Sequence, residues 1–255
     1  MKGIILAGGN ATRMGDISKV TTKQLLLVYN KPMIYYPLTT LIETGHTEIA
    51  VVCKDKDKAL YESLLGDGKQ FGISISYFIQ NVPKGIAEAF VICKDFIGTN
   101  RVSLILGDNI FHTNLEKSFS EIKTNTTDGF VFGYSVKDPE RFGVAVMRDD
   151  RLVKIEEKPR VPRSNIAITG LYSYPSDVVQ KAMNLTPSAR GEIEITDINN
   201  LYLKDKRLNL SMIPTGSAWL DTGTHDSLLD ASLYVKTINS IQGIDFGNPY
   251  KYMKN

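Results

Sequence analysis

The chain has 255 residues, 42 % of them hydrophobic and 23 % charged, with a formal net charge of +2. Such a chain can bury a sizeable core without disulfides or a structural metal. A charge so close to zero, with Lys and Arg scattered and no basic run, excludes nucleic acid or an anionic membrane as the expected partner.

Read in chain order, Gly3–Leu6 is a short apolar strand that runs directly into Gly8 and Gly9. That apolar start is too short for the core of a signal peptide, and no window reaches the ~20 apolar residues of a membrane span. Pro32–Glu43 carries apolar residues at helical spacing. Glu48–Cys53, Ile73–Ile79 and Val102–Leu106 are β-branched strands, and Asp55–Leu65 and Gly85–Phe96 between them read as helices. Strands alternating with helices predict βαβ units and a largely parallel sheet. The second half changes character. Gly129–Val136, Phe142–Met147, Leu152–Glu157 and Ile166–Tyr174 read as closely connected strands, with a turn at Asp149-Asp150. Helices follow at Pro175–Asn184 and Ile193–Lys204, then a strand at Arg207–Ile213 and a helix at about His225–Ile241. The last stretch, from Gly243, is polar and aromatic without a clear period.

The expected fold is α/β: a single Rossmann-like domain with a mixed, mostly parallel sheet flanked by helices and a smaller β-rich elaboration. Its extent is 1–240, with halves at about 1–125 and 126–240, and a tail over 241–255. Cys53 and Cys93 lie in apolar runs and read as small buried hydrophobes, which fits a reducing, cytoplasmic setting. His46, His112 and His225 share no metal-ligand spacing, and no Ser/His or Cys/His pair suggests covalent catalysis.

The strongest chemical signal is the first loop, Leu6-Ala7-Gly8-Gly9-Asn10-Ala11-Thr12-Arg13. Ligands of open α/β sheets bind beyond the carboxyl ends of the strands. Glycines there let backbone N–H groups approach phosphate oxygens, and Arg13 offers a planar fork of donors. Lys23 adds a second cation. The loop fits neither the P-loop nor the G-x-G-x-x-G pattern, and a bare Gly-Gly after a strand would otherwise read as a tight turn.

This segment resembles the signature of the nucleoside-triphosphate:sugar-1-phosphate nucleotidyltransferases, and most closely their glucose-1-phosphate thymidylyltransferase branch in a short form. The likeness runs over about residues 2–240. It is carried by Lys31-Pro32-Met33-Ile34-Tyr35-Tyr36-Pro37-Leu38, Leu106-Gly107-Asp108-Asn109, Asp138-Pro139-Glu140-Arg141-Phe142-Gly143, Glu156-Glu157-Lys158-Pro159, Thr169-Gly170-Leu171-Tyr172, Pro187–Asp197 and Trp219-Leu220-Asp221-Thr222-Gly223-Thr224. The resemblance implies condensation of dTTP with α-D-glucose 1-phosphate to dTDP-glucose and pyrophosphate, feeding deoxysugar synthesis. UTP or an N-acetylhexosamine 1-phosphate are the alternative substrates, and a non-catalytic nucleotide-sugar sensor is the alternative of another class.

The resemblance also assigns residues. Arg13 and Lys23 would be catalytic. Leu6, Ala7, Gly8, Gly9, Arg13, Gln80, Gly85 and Asp108 would bind the nucleotide. Asn109, Gly143, Glu157, Lys158, Thr169, Tyr172 and Trp219 would hold the sugar phosphate. Asp108 and Asp221 would ligate Mg2+. Taken alone, Asp108 would read as a helix cap, Gln80 as a surface amide, the Glu157-Lys158 pair as a solvated strand end and Trp219 as core. A homo-oligomer, dimer or tetramer, is expected. Two departures stand out: Ala11 where the family has Gly, and Gly15-Asp16 where it has Tyr-Pro. The chain also ends earlier than the longer thymidylyltransferases, whose C-terminal elements build a regulatory site.

Overall fold

The structure is a computed structural model that describes residues 1–9 and 14–252. The strands are β1 (Lys2–Leu6), β2 (Leu27–Val28), β3 (Lys31–Pro32), β4 (Glu48–Cys53), β5 (Ser74–Ile79), β6 (Val102–Leu106), β7 (Asn109–His112), β8 (Gly129–Ser135), β9 (Gly143–Arg148), β10 (Arg151–Glu157), β11 (Ile166–Tyr174), β12 (Leu208–Met212) and β13 (Ala218–Asp221). The α-helices are α1 (Ile17–Val20), α2 (Tyr35–Glu43), α3 (Asp55–Leu65), α4 (Glu88–Ile92), α5 (Lys94–Ile97), α6 (Glu116–Thr124), α7 (Val178–Met183), α8 (Ile195–Lys204) and α9 (His225–Gln242). The fold is α/β with a mixed sheet, as the residue pattern predicts. The chain forms two compact units. A glycine-loop unit takes Lys2–Pro83, Ile105–His112 and Ala218 onward, and a β-rich unit takes Lys84–Leu104 and Thr113–Ser217.

In the glycine-loop unit β1, β4 and β5 lie parallel, with Leu6 opposite Val52 and Cys53 opposite Ile79. Strands buried on both faces need near-continuous apolar runs. Ile4, Ile5 and every residue from Ile49 to Cys53 are indeed fully buried. Each such aliphatic side chain contributes about 1.5–3 kcal/mol by leaving water. Both cysteines are free and buried, and burial pushes their thiols up to about 12, so neither is a thiolate near neutrality. Helix α9 starts at a capping box, in which Thr224 and Ser227 each accept from the other's backbone N–H, and stops at Gly243 with φ +64°. Its Ala231 and Val235 pack into a core cluster with Val28, Met33, Tyr36 and Ile110.

In the β-rich unit β9 and β10 form an antiparallel hairpin. Asp149 and Asp150 make its turn with φ of +47° and +57°. Both values are positive, as a turn matching the strands' right-handed twist requires. Strand β11 pairs antiparallel with β9 and β8, and β12 joins β8 in parallel. Helix α8 is tied to β10 by Asn200, whose amide bonds both the N–H and the C=O of Ile155.

The structure departs from expectation in several places. The helix expected from Pro32 begins at Tyr35, because Lys31–Pro32 pairs with Leu27–Val28 as a small hairpin. The helix expected over Gly85–Phe96 is two short ones, since Gly85 has φ +102° and Ala87 N–H bonds Ile193 O instead of a helical carbonyl. The segment after Gly243 lacks a period because it docks through single anchors. Asp245 pairs with Lys31 at 2.5 Å, and Phe246 lies against Tyr36. Tyr250 meets both Tyr35 and Phe71 edge-on. Among the described residues no helix is long and apolar enough to cross a membrane.

Candidate active site

The glycine loop leaves β1 under close control. Ala7 N–H donates to Val52 O at 2.7 Å, and Leu6 O accepts from Gly107 N–H at 2.9 Å. The ladder thus persists just past Leu6, and Ala7 and Gly8 stay buried. A Cβ on Gly8 would come 3.2 Å from Gln80 Oε1, so the loop and the end of β5 are in contact. Gln80 is buried, with its N–H bonded to Cys53 O. Gly9 is exposed, and a Cβ there would meet nothing within 4 Å. Its backbone is open to a ligand. Ala11 and Arg13 lie outside the described residues.

Lys23 stands on a single 3₁₀ turn, Lys23–Leu25. It is only 8 % exposed, and its ammonium is paired with Asp108 Oδ2. A Cβ on Gly107 would sit 3.0 Å from both Gln24 Cγ and Leu6 O. Glycine at 107 therefore lets the Lys23 turn, the end of β1 and the Asp108 segment meet. The other carboxylate oxygen, Asp108 Oδ1, accepts from Asn109 Nδ2 at 3.0 Å. Asp108 C=O accepts from Thr222 N–H at 3.1 Å and from Thr222 Oγ1 at 2.8 Å. Strands β7 and β13 pair antiparallel with Asn109 opposite Asp221. Lys23, Asp108, Asn109, Trp219 and Asp221 are thereby brought together around one two-stranded ribbon.

The remaining expected residues lie in the β-rich unit. Gly143 is opposite Glu157 in one ladder and Ile168 in the next. Glu157 accepts from Thr196 Oγ1 at 2.6 Å and from Arg190 at 3.3 Å, and Lys158 Nζ lies 3.5 Å away. Lys158 has φ +41°, so the chain turns out of β10 there while its N–H still reaches Phe142 O. Thr169 sits where the β11–β8 register shifts; it is fully buried, and its Oγ1 has no hydrogen-bond partner among the described residues. Such irregularities gather beside functional sites. Tyr172 stacks on Tyr174, and burial followed by the charge of Glu157 raises its pKa, so its phenol stays neutral. Gly85 is pressed against the backbone of Ile193.

Several neighbours went unassigned in the sequence. Arg190 binds Glu194 through two nitrogens, at 3.1 and 2.8 Å, and reaches Glu157. Burial opposes the Arg190 charge, yet hydrogen bonds and attraction from Glu194 leave its pKa raised. Burial, reinforced by Glu194 and Glu157, raises the pKa of Asp197. Their signal was present in Pro187–Asp197, where one cation, Arg190, precedes three carboxylates, Glu192, Glu194 and Asp197. Thr222 had a weaker one, its place directly after Asp221.

The family described as Nucleotidyl transferase matches residues 2–237. A glucose-1-phosphate thymidylyltransferase of Neisseria meningitidis is 50 % identical over 246 residues, covering 96 % of this chain and 85 % of that protein. One of Mycolicibacterium smegmatis is 46 % identical, covering 98 % and 87 %. A solved candidate glucose-1-phosphate thymidylyltransferase of Bacillus anthracis, in complex with sucrose, superposes with a TM-score of 0.90 at 42 % identity, covering 98 % of this chain and 99 % of that one. A UDP-glucose pyrophosphorylase solved with UDP-glucose has the same fold, at a TM-score of 0.82 and 23 % identity over 92 % of this chain and 98 % of its own.

Proposed function

The chain belongs to the nucleotidyl transferase family, and from that premise we propose that it condenses dTTP with α-D-glucose 1-phosphate, giving dTDP-glucose and pyrophosphate. The observation that carries the reading is the buried Lys23–Asp108 pair, set beside the glycine loop and linked through β7–β13 to Asp221. The names of the relatives at 44–50 % identity support the choice of substrates.

Nucleotidyl transfer asks the protein mainly for positioning and charge neutralisation. An oxygen of the sugar phosphate attacks the α-phosphorus in line, a new P–O bond forms, and the bond to the departing pyrophosphate breaks. Lys23 offsets charge near the α-phosphate. Arg13 does so for pyrophosphate, and Lys158 and Glu157 hold the sugar phosphate and its hydroxyls. Gln80 reads the base edge with an amide that both donates and accepts.

The donor chemistry fits a hard divalent cation such as Mg2+. Among the described residues no group of three or more His, Cys, Asp or Glu could hold a metal. The protein's share would be the two carboxylates of Asp108 and Asp221, with phosphate and water completing the shell, as Mg2+ prefers. A Cβ at Gly223 would lie 3.4 Å from Asp221 Oδ2, so glycine there leaves that carboxylate room. When bound, the cation supplies positive charge to the phosphate oxygens.

A matrix of nucleoside triphosphates against sugar 1-phosphates, scored by pyrophosphate release with and without Mg2+, tests the proposal. The pair dTTP and glucose 1-phosphate is expected to give the highest kcat/KM, and only with the metal. Faster turnover with UTP or an N-acetylhexosamine phosphate would reassign the substrates. Binding without pyrophosphate release from any pair would replace the enzyme with a sensor.

A further inference from the structure

Strands β7 and β13 pair so that Asn109 faces Asp221 and Phe111 faces Trp219. Directly opposed residues share a face, and side chains alternate between faces along each strand. Asn109, Phe111, Trp219 and Asp221 therefore stand on one face of the ribbon, with Asn109 and Trp219 as diagonal neighbours. Both are buried, at 2 % and 7 % exposure. The indole Nε1–H of Trp219 donates to Asn109 Oδ1 at 2.7 Å, and Asn109 Nδ2 donates to Asp108 Oδ1 at 3.0 Å.

We propose that Trp219, acting through Asn109, is a positioning residue that fixes the Asp108 carboxylate for its cation. The inference rests on the proposed role of Asp108 as a metal ligand. An indole nitrogen can only donate, so whichever amide atom faces it must be the oxygen. That choice leaves the amide nitrogen for Asp108, and the carboxylate receives a donor on Oδ1. Lys23 holds the opposite oxygen. Without the indole N–H the Asn109 amide loses the donor that selects this orientation. In the reversed orientation its oxygen would face the carboxylate and repel it. The carboxylate would lose one of its two anchors, the one on Oδ1, and keep only Lys23.

Partners of this outer kind typically change metal affinity by 10–100-fold. Trp219→Phe keeps an aromatic ring in the packing and removes only the donor. In the protein–dTTP complex it is expected to weaken Mn2+ binding, measured by electron paramagnetic resonance, about tenfold. It should lower kcat at fixed sub-saturating Mg2+ to a similar degree and leave KM for dTTP within about twofold. Phe111→Leu disturbs the same packing without touching the hydrogen-bond chain, and should leave Mn2+ affinity unchanged even if the melting temperature falls. The wild-type protein offers a second readout, because its single tryptophan gives one indole N–H resonance. That signal should shift when Mg2+ is added to the dTTP complex, and the response should vanish in Asp108→Asn.

Wild-type Mn2+ affinity in Trp219→Phe, an equal loss in Phe111→Leu, or an indole resonance indifferent to Mg2+ would each overturn the proposal. If the wild-type dTTP complex takes up no Mn2+ at all, the metal role of Asp108 itself falls, and the positioning role falls with it.

Discussion

Replacing Lys23 with methionine is expected to lower kcat by about 10²–10³-fold, the usual loss when one preorganised charge is removed from a developing transition state. The argument is local. Lys23 is held on a three-residue turn, almost wholly buried, with its ammonium on Asp108. A charge kept in place in that way costs no reorganisation when phosphate charge shifts during transfer. Methionine keeps the length and the apolar stem, so packing is conserved while the charge is lost. Asp108 would remain partly buried without this partner, at a side-chain exposure of 21 %. Some stability should therefore be lost as well, less than the 3–5 kcal/mol seen for pairs fully removed from water. Asp108→Asn should reduce turnover to a similar extent. The double variant should be scarcely worse than either single, because residues acting as a unit are non-additive. Pyrophosphate release and thermal melts on the three variants check this. Turnover within tenfold of wild type in Lys23→Met would remove Lys23 from the chemistry.

The second large effect is structural. Gly85→Ala is expected to destabilise the protein by about 3 kcal/mol or more, from positive-φ strain added to a clash that backbone cannot relieve cheaply. Gly85 has φ +102°, and an added Cβ would fall 2.3 Å from Ile193 O and 2.7 Å from Ile193 N. Those atoms are committed: Ile193 N–H bonds Lys84 O at 2.6 Å, and Ile193 O accepts from Ala87 N–H at 3.3 Å. Relief would require opening both bonds or shifting the start of α4. Urea melts read the loss directly. An unchanged midpoint and slope would show that the two segments are not as close as they stand here. The bulk that glycine omits at 85 lies against protein backbone, a reason for glycine that sequence alone did not disclose.

What was legible in the residues follows a physical division. Strands that are mostly apolar and almost wholly buried, such as Glu48–Cys53, Val102–Leu106 and Ile166–Tyr174, have the bounds expected of them, because burial on both faces narrows the choice of residue. The helix Asp55–Leu65 is equally clear: its acidic first turn favours the helix N-terminus, and Gly66 ends it. The ribbon β7–β13 went unread, since four residues give no period and its partner lies far along the chain. The docking of the segment after Gly243 depends on where Tyr35, Phe71 and Lys31 stand in space, which no local pattern records. In the candidate site, Lys23 was legible as a cation near the glycine loop and Asp108 and Asp221 were named from family likeness, but Trp219 and Asn109 were expected at the sugar phosphate. Their mutual hydrogen bond was not foreseeable, because it depends on cross-strand register.

The same ribbon bears on how the protein is made. Thr222 and Asp108 are 114 positions apart, yet the Thr222 hydroxyl donates to the Asp108 carbonyl and holds the two strands' ends together. Joining such distant segments costs loop entropy, and contacts of this kind tend to form late. During synthesis Asp108 leaves the ribosome well before Asp221 exists. The nascent chain therefore passes through a long interval in which its glycine loop is already present but β7 has no partner strand.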